Sequence, residues 1–148
     1  MAEVSEFISR TGTARAAPGV FFSFAGDFRN FSRFIPEENV SDWQAGSDSC
    51  SFEISPLGKA SVSITERKPL SLIKYEGEAI SSVPFKIWLQ MTDPGDAATR
   101  FRIVLRTELN PFFRMMASGA IEQYLSRLVD EIESFSGWDD ITEYTQSP

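Results

Sequence analysis

The last third of the chain carries its strongest constraint, an amphipathic helix long enough to cross a whole small domain. Asn110 is a favourable N-cap, and Pro111 follows where a missing backbone N–H costs nothing. Phe113, Ala117, Ile121, Tyr124, Leu128, Ile132 and Phe135 then recur at helical spacing as one apolar stripe, widened by Met116, Ala120 and Leu125. Gly137 is expected to stop the run. A helix of about 24 residues spans about 36 Å. No other apolar element is as long, so whatever the rest of the chain forms must be covered by this helix.

Upstream the pattern is mostly strand. Residues 4–14 alternate loosely around Val4, Phe7 and Ile8 among Ser and Thr, and read as a first strand. Pro18 opens a short helix bearing Val20, Phe21, Phe24 and Ala25, and Gly26 breaks it. Asp27 caps a second short helix with Phe28, Phe31, Phe34 and Ile35, which Pro36 ends. Six strands follow between turn signals, over 40–45, 50–55, 59–67, 68–78, 85–92 and 99–108. Pro56-Leu57-Gly58, Ser81-Ser82-Val83-Pro84 and Asp93-Pro94-Gly95-Asp96 are among the turns. Phe85, Ile87, Leu89 and Met91 share one face of their strand, and Phe101, Ile103 and Leu105 one face of the next. The opposite faces carry Lys86, Trp88 and Gln90, then Arg100, Arg102, Val104 and Arg106, as expected of a sheet covered on one side and wet on the other. The 68–78 strand is apolar on both faces, which leaves the facing of Tyr75, Glu76 and Glu78 open.

Short turns make these strands an antiparallel meander, which must bend around the final helix to be covered. The expected class is α+β, a curved antiparallel sheet of about seven strands wrapped around a long C-terminal helix, with two short helices after strand one. A single domain over 1–137 is expected, with an acidic, polar tail over 138–148. This order resembles the helix-grip fold of the START/polyketide-cyclase (SRPBCC) superfamily over 4–135. The resemblance rests on Ala16-Ala17-Pro18-Gly19-Val20-Phe21, Asp27-Phe28-Arg29-Asn30, Pro69 in the middle hairpin, and the Glu108-Leu109-Asn110-Pro111 junction leading to Gly119 and Ala120. It implies an apolar cavity between sheet and helix, of the kind that in the superfamily holds lipids, sterols, quinones or polyketides, and in some members supports cyclisation, dehydration or hydrolysis. It carries over no catalytic residue.

Composition narrows the chemistry. The chain has no histidine, which excludes Ser-His-Asp and Cys-His nucleophile pairs, His-containing zinc sites and the facial-triad iron site. No metal and no cofactor are expected. Cys50 is the only cysteine, so no intrachain disulfide can form, and without a histidine partner it reads as an inert, half-buried thiol. A formal charge of −7 argues against nucleic acid and anionic membranes as partners. No apolar run approaches the roughly 18 residues of a membrane span and no signal-peptide pattern is visible, so a soluble, cytoplasmic chain without an integral membrane segment is expected. Nothing in the pattern points to one oligomeric state.

The inner face expected to line a cavity comprises Phe52, Ile54, Val62, Ile64, Tyr75, Phe85, Ile87, Leu89, Phe101, Ile103 and Leu105, facing Met116, Ala120 and Tyr124. The same stripes could close into a packed core. Tyr75, Tyr124, Glu76 and Glu78 are the polar candidates for orienting a ligand or moving a proton. The aromatic run Phe21, Phe22, Phe24, Phe28, Phe31 and Phe34 can plug one end of the grip or lid its mouth, and an exposed Phe22 would mark the lid. Arg100, Arg102 and Arg106 read as a wet strand face. The function expected is binding or carrying of a hydrophobic small molecule. The alternatives are a metal-free cyclase or dehydratase-type enzyme using Tyr and carboxylates, and a protein-interaction module with a packed interior and a patch near Phe22, Trp43 or Trp88.

Overall fold

The chain begins on the edge of the sheet that its last strand completes. In the computed structural model, which describes residues 3–34, 40–54, 58–79 and 83–138, β1 (Glu3–Ile8) and β2 (Gly12–Ala14) both pair antiparallel with β8 (Thr99–Leu109). Between them come α1 (Pro18–Ala25), a 3-10 helix (Phe28–Phe34), and the strands β3 (Val40–Ala45), β4 (Ser49–Ile54), β5 (Gly58–Lys68), β6 (Leu72–Ala79) and β7 (Val83–Thr92). The sheet has eight strands in the order β1-β8-β7-β6-β5-β4-β3, with β2 beside β8. All of its pairings are antiparallel, and it curves around α2 (Pro111–Ser134). The side chains of Phe34, Ile54 and Phe113 lie outside the described residues, as do Ile35, Pro36, Pro56, Leu57, Ser81, Ser82 and 139–148.

Three expectations about local structure need correcting. The first strand is two strands, because Ser9 interrupts it: its N–H donates to the Ile103 carbonyl at 2.8 Å, and its hydroxyl accepts from the Ile103 N–H at 2.9 Å. That break gives the sheet eight strands, in keeping with the about seven expected. β6 begins at Leu72 and not at residue 68, because 68–71 form a turn in which Ser71 N–H donates to the Lys68 carbonyl at 3.0 Å and Leu70 takes φ 61°. The second short helix is 3-10, opened by the Asp27 carboxylate accepting the Arg29 N–H at 2.9 Å.

One end of the grip is closed by aromatic rings. Phe21 stacks on Phe101 at 5.2 Å, and Phe24 meets Phe31 and Phe135 at 5.2 and 5.9 Å. Phe22 is 2% exposed, so α1 plugs this end and the mark expected of a lid is missing. Trp138 also belongs here, 7% exposed and edge-on to Phe135 at 4.8 Å. The helix itself ends at Ser134, earlier than Gly137 suggested.

The helix is seated unevenly. A Cβ on Gly12 would stand 2.6 Å from Val129 Cγ1, so the absence of a side chain there lets α2 press against β2. Arg10 pairs with Asp130 and with Glu133 (2.8 Å to the latter), and the Thr13 N–H donates to Glu133 at 2.9 Å. These contacts pin the second half of α2 over β1, β2 and β8. The buried face is accordingly Ala117, Leu125, Val129 and Ile132. The column expected to be buried is rotated away from it: Met116 is 56% exposed, Tyr124 44%, and Ala120 is exposed. Among the described residues no helix is long and apolar enough to cross a membrane.

Candidate functional site

Strand register assigns each side chain to a face. Ile64, Tyr75, Ile87, Leu105 and Phe7 form one row across the concave face of the sheet. Cys50, Val62, Gly77, Phe85 and Thr107 form the next. Gly77 is required there, since a Cβ would run into the Ser61 carbonyl and the Phe85 ring. Toward the plugged end Leu89, Met91, Phe101 and Ile103 are fully buried. Toward the other end Phe52, Ile64, Phe85, Ile87 and Leu105 are only half-buried, although they pack on the same cluster. Opposite them lies the open flank of α2, with Met116, Ala120 and Tyr124, and with Ile121 and Leu128 half-buried beside it. Apolar side chains of the concave face and of the α2 flank thus stay accessible on the side away from the half by which the helix is pinned. Two depressions, of about 340 and 480 Å³, lie between β1 and α2 and along the serine-lined β4–β5 surface.

The polar candidates separate cleanly. Tyr75 points inward but is buried, and its hydroxyl donates to the Ala25 carbonyl at 2.6 Å. Burial pushes this phenol far above its ordinary pKa, so it stays protonated, tying α1 to the sheet. Glu76 and Glu78 face outward: Glu76 pairs with Lys74 and Lys86, each at 3.9 Å. Neither carboxylate reaches the cleft, which corrects their standing as candidates for moving a proton. Tyr124 lies on the exposed flank of α2. Its ring is partly accessible, yet burial raises its hydroxyl's pKa, with the Cys50 thiol of β4 adding to the rise and Arg127 opposing it. Burial likewise pushes the Cys50 thiol up to about 11.

The basic row sits on the convex face as expected. Arg102 donates to Gln90 Oε1 at 2.7 and 3.0 Å, Arg106 pairs with Glu6, and the Trp88 ring lies between Arg106 and Lys74 at 5.4 and 5.5 Å. Trp43 is on the inner side, 5.6 Å from the Phe52 ring. Sequence reasoning passed over Phe7, Ile121, Leu128 and Cys50 as wall residues. The pairing of Phe7 with Leu105 is a long-range fact, whereas Ile121 and Leu128 were visible on the helical stripe and needed only the helix's rotation to be placed. Among the described residues no group of His, Cys, Asp or Glu could hold a metal ion.

No protein-family model and no curated protein match the chain in sequence. Its shape is widely shared. Norcoclaurine synthase from Thalictrum flavum, in complex with dopamine and hydroxybenzaldehyde, superposes with a TM-score of 0.60 over 90% of this chain and 91% of that one, at 11% identity. The Mll3558 protein of Rhizobium loti gives 0.63 over 88% and 99%, at 13% identity. A START superfamily protein of Mycobacterium smegmatis gives 0.58 over 90% and 99%, at 9% identity. The chain has the START/polyketide-cyclase-like (SRPBCC) helix-grip fold.

Proposed function

We propose that the chain binds or carries an apolar small molecule, of lipid, quinone or polyketide-like character, in the cleft between α2 and the sheet. The observation that carries this reading is the pair of facing walls: half-buried Phe85, Ile87 and Leu105 on the concave face, and the open Met116–Ala120–Tyr124 flank of α2. Apolar surface kept accessible in this way is stabilised by an occupant at about 25 cal/mol per Å² removed from water. The remaining expected residues with described side chains, Phe52, Val62, Ile64, Leu89, Phe101 and Ile103, would serve as the back of the site, and Tyr75 as a strut behind it. That norcoclaurine synthase, of the same fold, accommodates dopamine and hydroxybenzaldehyde lends support to a small-molecule role. A cytoplasmic place of action fits the single free Cys50.

A cyclase or dehydratase reading has less to stand on, since Glu76 and Glu78 face outward and the Tyr75 hydroxyl is engaged. Titration with diphenylhexatriene, an uncharged polyene that fluoresces in apolar surroundings, tests the proposal. Saturable binding should weaken by roughly tenfold or more in Ile87→Lys, which sets a charge in the cleft wall. Undiminished binding by a folded Ile87→Lys, or no saturable binding by the wild type, would sink it.

A further inference from the structure

The two edges of the sheet are finished differently. At β3 the register with β4 shifts between Ser41 and Gln44, and Asp42 takes φ 55°, so a bulge bends that edge out of line. At β1 the register with β8 is unbroken from Glu3 to Ile8. This strand has no Pro, no Lys and no bulge, the devices that blunt an edge against further pairing. Among the described residues it pairs with β8 alone. Its backbone polarity follows from Ser9, whose N–H donates to the Ile103 carbonyl at 2.8 Å. Antiparallel pairing alternates, so Ser5 and Phe7 turn their N–H and C=O groups toward β8, while Val4, Glu6 and Ile8 turn theirs outward. Val4 and Ile8 are 66% and 52% exposed, which leaves that outward row open.

A groove of about 340 Å³ runs beside this edge, between β1 and α2. Phe7 and Leu125 give it an apolar floor, and Glu122 and Ser126 stand on its helix side. Carboxylates outnumber cations around it: Glu6, Glu122, Asp130 and Glu133 against Arg10 and Arg106. Glu122 is exposed and makes no ion pair among the described residues.

We infer that the β1 edge takes an extended, basic segment of a partner protein as an added strand. Its main chain bonds to the outward groups of Val4, Glu6 and Ile8. Alternate side chains drop into the groove against Phe7 and Leu125, and lysine or arginine side chains reach Glu122 and Glu6. Main-chain bonds supply the affinity in such strand addition, and the groove and its charge supply the selection. A second copy of this chain fits the edge poorly. Each copy carries a net charge of −7, and full overlap of two β1 edges about a twofold axis sets Glu6 against Glu6. This edge lies outside the cleft, so the inference stands apart from the binding proposed above.

The test follows backbone amide exchange by NMR, with a synthetic nonapeptide alternating lysine and valine as probe and one alternating glutamate and valine as its counterpart. Saturation with the lysine peptide should slow exchange at Val4, Glu6 and Ile8 by roughly tenfold or more, and leave Ser5 and Phe7, already bonded to β8, unchanged. The glutamate peptide should bind roughly tenfold more weakly at low salt. Ile8→Pro removes one outward N–H without breaking a bond to β8, and should weaken the lysine peptide by roughly fivefold or more. Glu122→Lys, at an exposed helix position where folding is not at stake, should weaken it by roughly threefold or more and favour the glutamate peptide. Equal binding of the two peptides would overturn the assignment of charge. Binding that leaves the three amides unslowed would overturn the edge as the site, and so would failure of the lysine peptide to bind. Slow exchange at Val4, Glu6 and Ile8 in the free protein would show the edge already covered, by a second copy if it grows with protein concentration and by the chain itself if it does not. Either result overturns the inference.

Discussion

Gly12 of β2 and Val129 of α2 meet so closely that a methyl group on the glycine would stand 2.6 Å from Val129 Cγ1 and 2.8 Å from the Phe101 ring. This contact decides how the helix lies. With its second half seated there and held by Arg10 to Asp130 and Glu133, its first half keeps an open flank beside the concave face. The cleft and the tight seat are two consequences of one placement.

Filling the seat should therefore be costly. Gly12→Val is expected to lower stability by about 1–3 kcal/mol through overpacking. Gly119, on the open side of the same helix, has nothing within 4 Å of a built Cβ. Gly119→Ala should raise stability by about 0.5–1 kcal/mol. Urea denaturation of the two variants checks both signs, and a neutral Gly12→Val would show that the helix is not seated as described.

Tyr75→Phe removes the donor to the Ala25 carbonyl and leaves that buried oxygen short of a partner. A loss of about 1–3 kcal/mol in denaturation is expected, with uptake of an apolar probe unchanged in the folded variant. A large loss of uptake at unchanged stability would instead give Tyr75 a place in the binding site.

Cys50 should be slow to alkylate. Its thiol is held up to about 11 by burial, so iodoacetamide should label the folded protein along a titration near that value, not near an ordinary thiol's. The linkage runs the same way. A folded-state pKa above the unfolded one favours the fold fully below the unfolded value, and that contribution is lost as pH rises from there through about 11. Cys50→Ser should flatten this part of the stability profile. Labelling of folded protein along an ordinary thiol titration would contradict the burial of Cys50.

Much of the architecture was legible because it rests on local signals. The alternation in 85–92 and 99–108 and the Asn110-Pro111 start each report a repeat or a cap, and all three are found. What escaped depends on partners distant in the chain. The rotation of α2 follows from Gly12, more than a hundred residues away, and three adjacent apolar columns on the helix offered no means of choosing the buried one. The facing of Glu76 and Glu78 followed only once Tyr75 was paired with Ile64 and Ile87. Ser9 split a strand because its hydroxyl substitutes for a ladder acceptor, which no alternation records. The contacts of Trp138 with the rings of Phe21, Phe24 and Phe135 likewise join residues distant in the chain, which no local pattern records.

The central claim is that an apolar ligand enters between α2 and the sheet. Methyl-resolved NMR during titration with diphenylhexatriene tests it most directly. Saturable shifts are expected at Ile87, Leu105, Ile121 and Met116, which line the two walls, with no change at Val4 and Ile8, which are exposed on the convex face. Shifts confined to Val4, Ile8 or Met115, with the wall methyls unmoved, would show that the ligand binds outside and that the cleft is not the site.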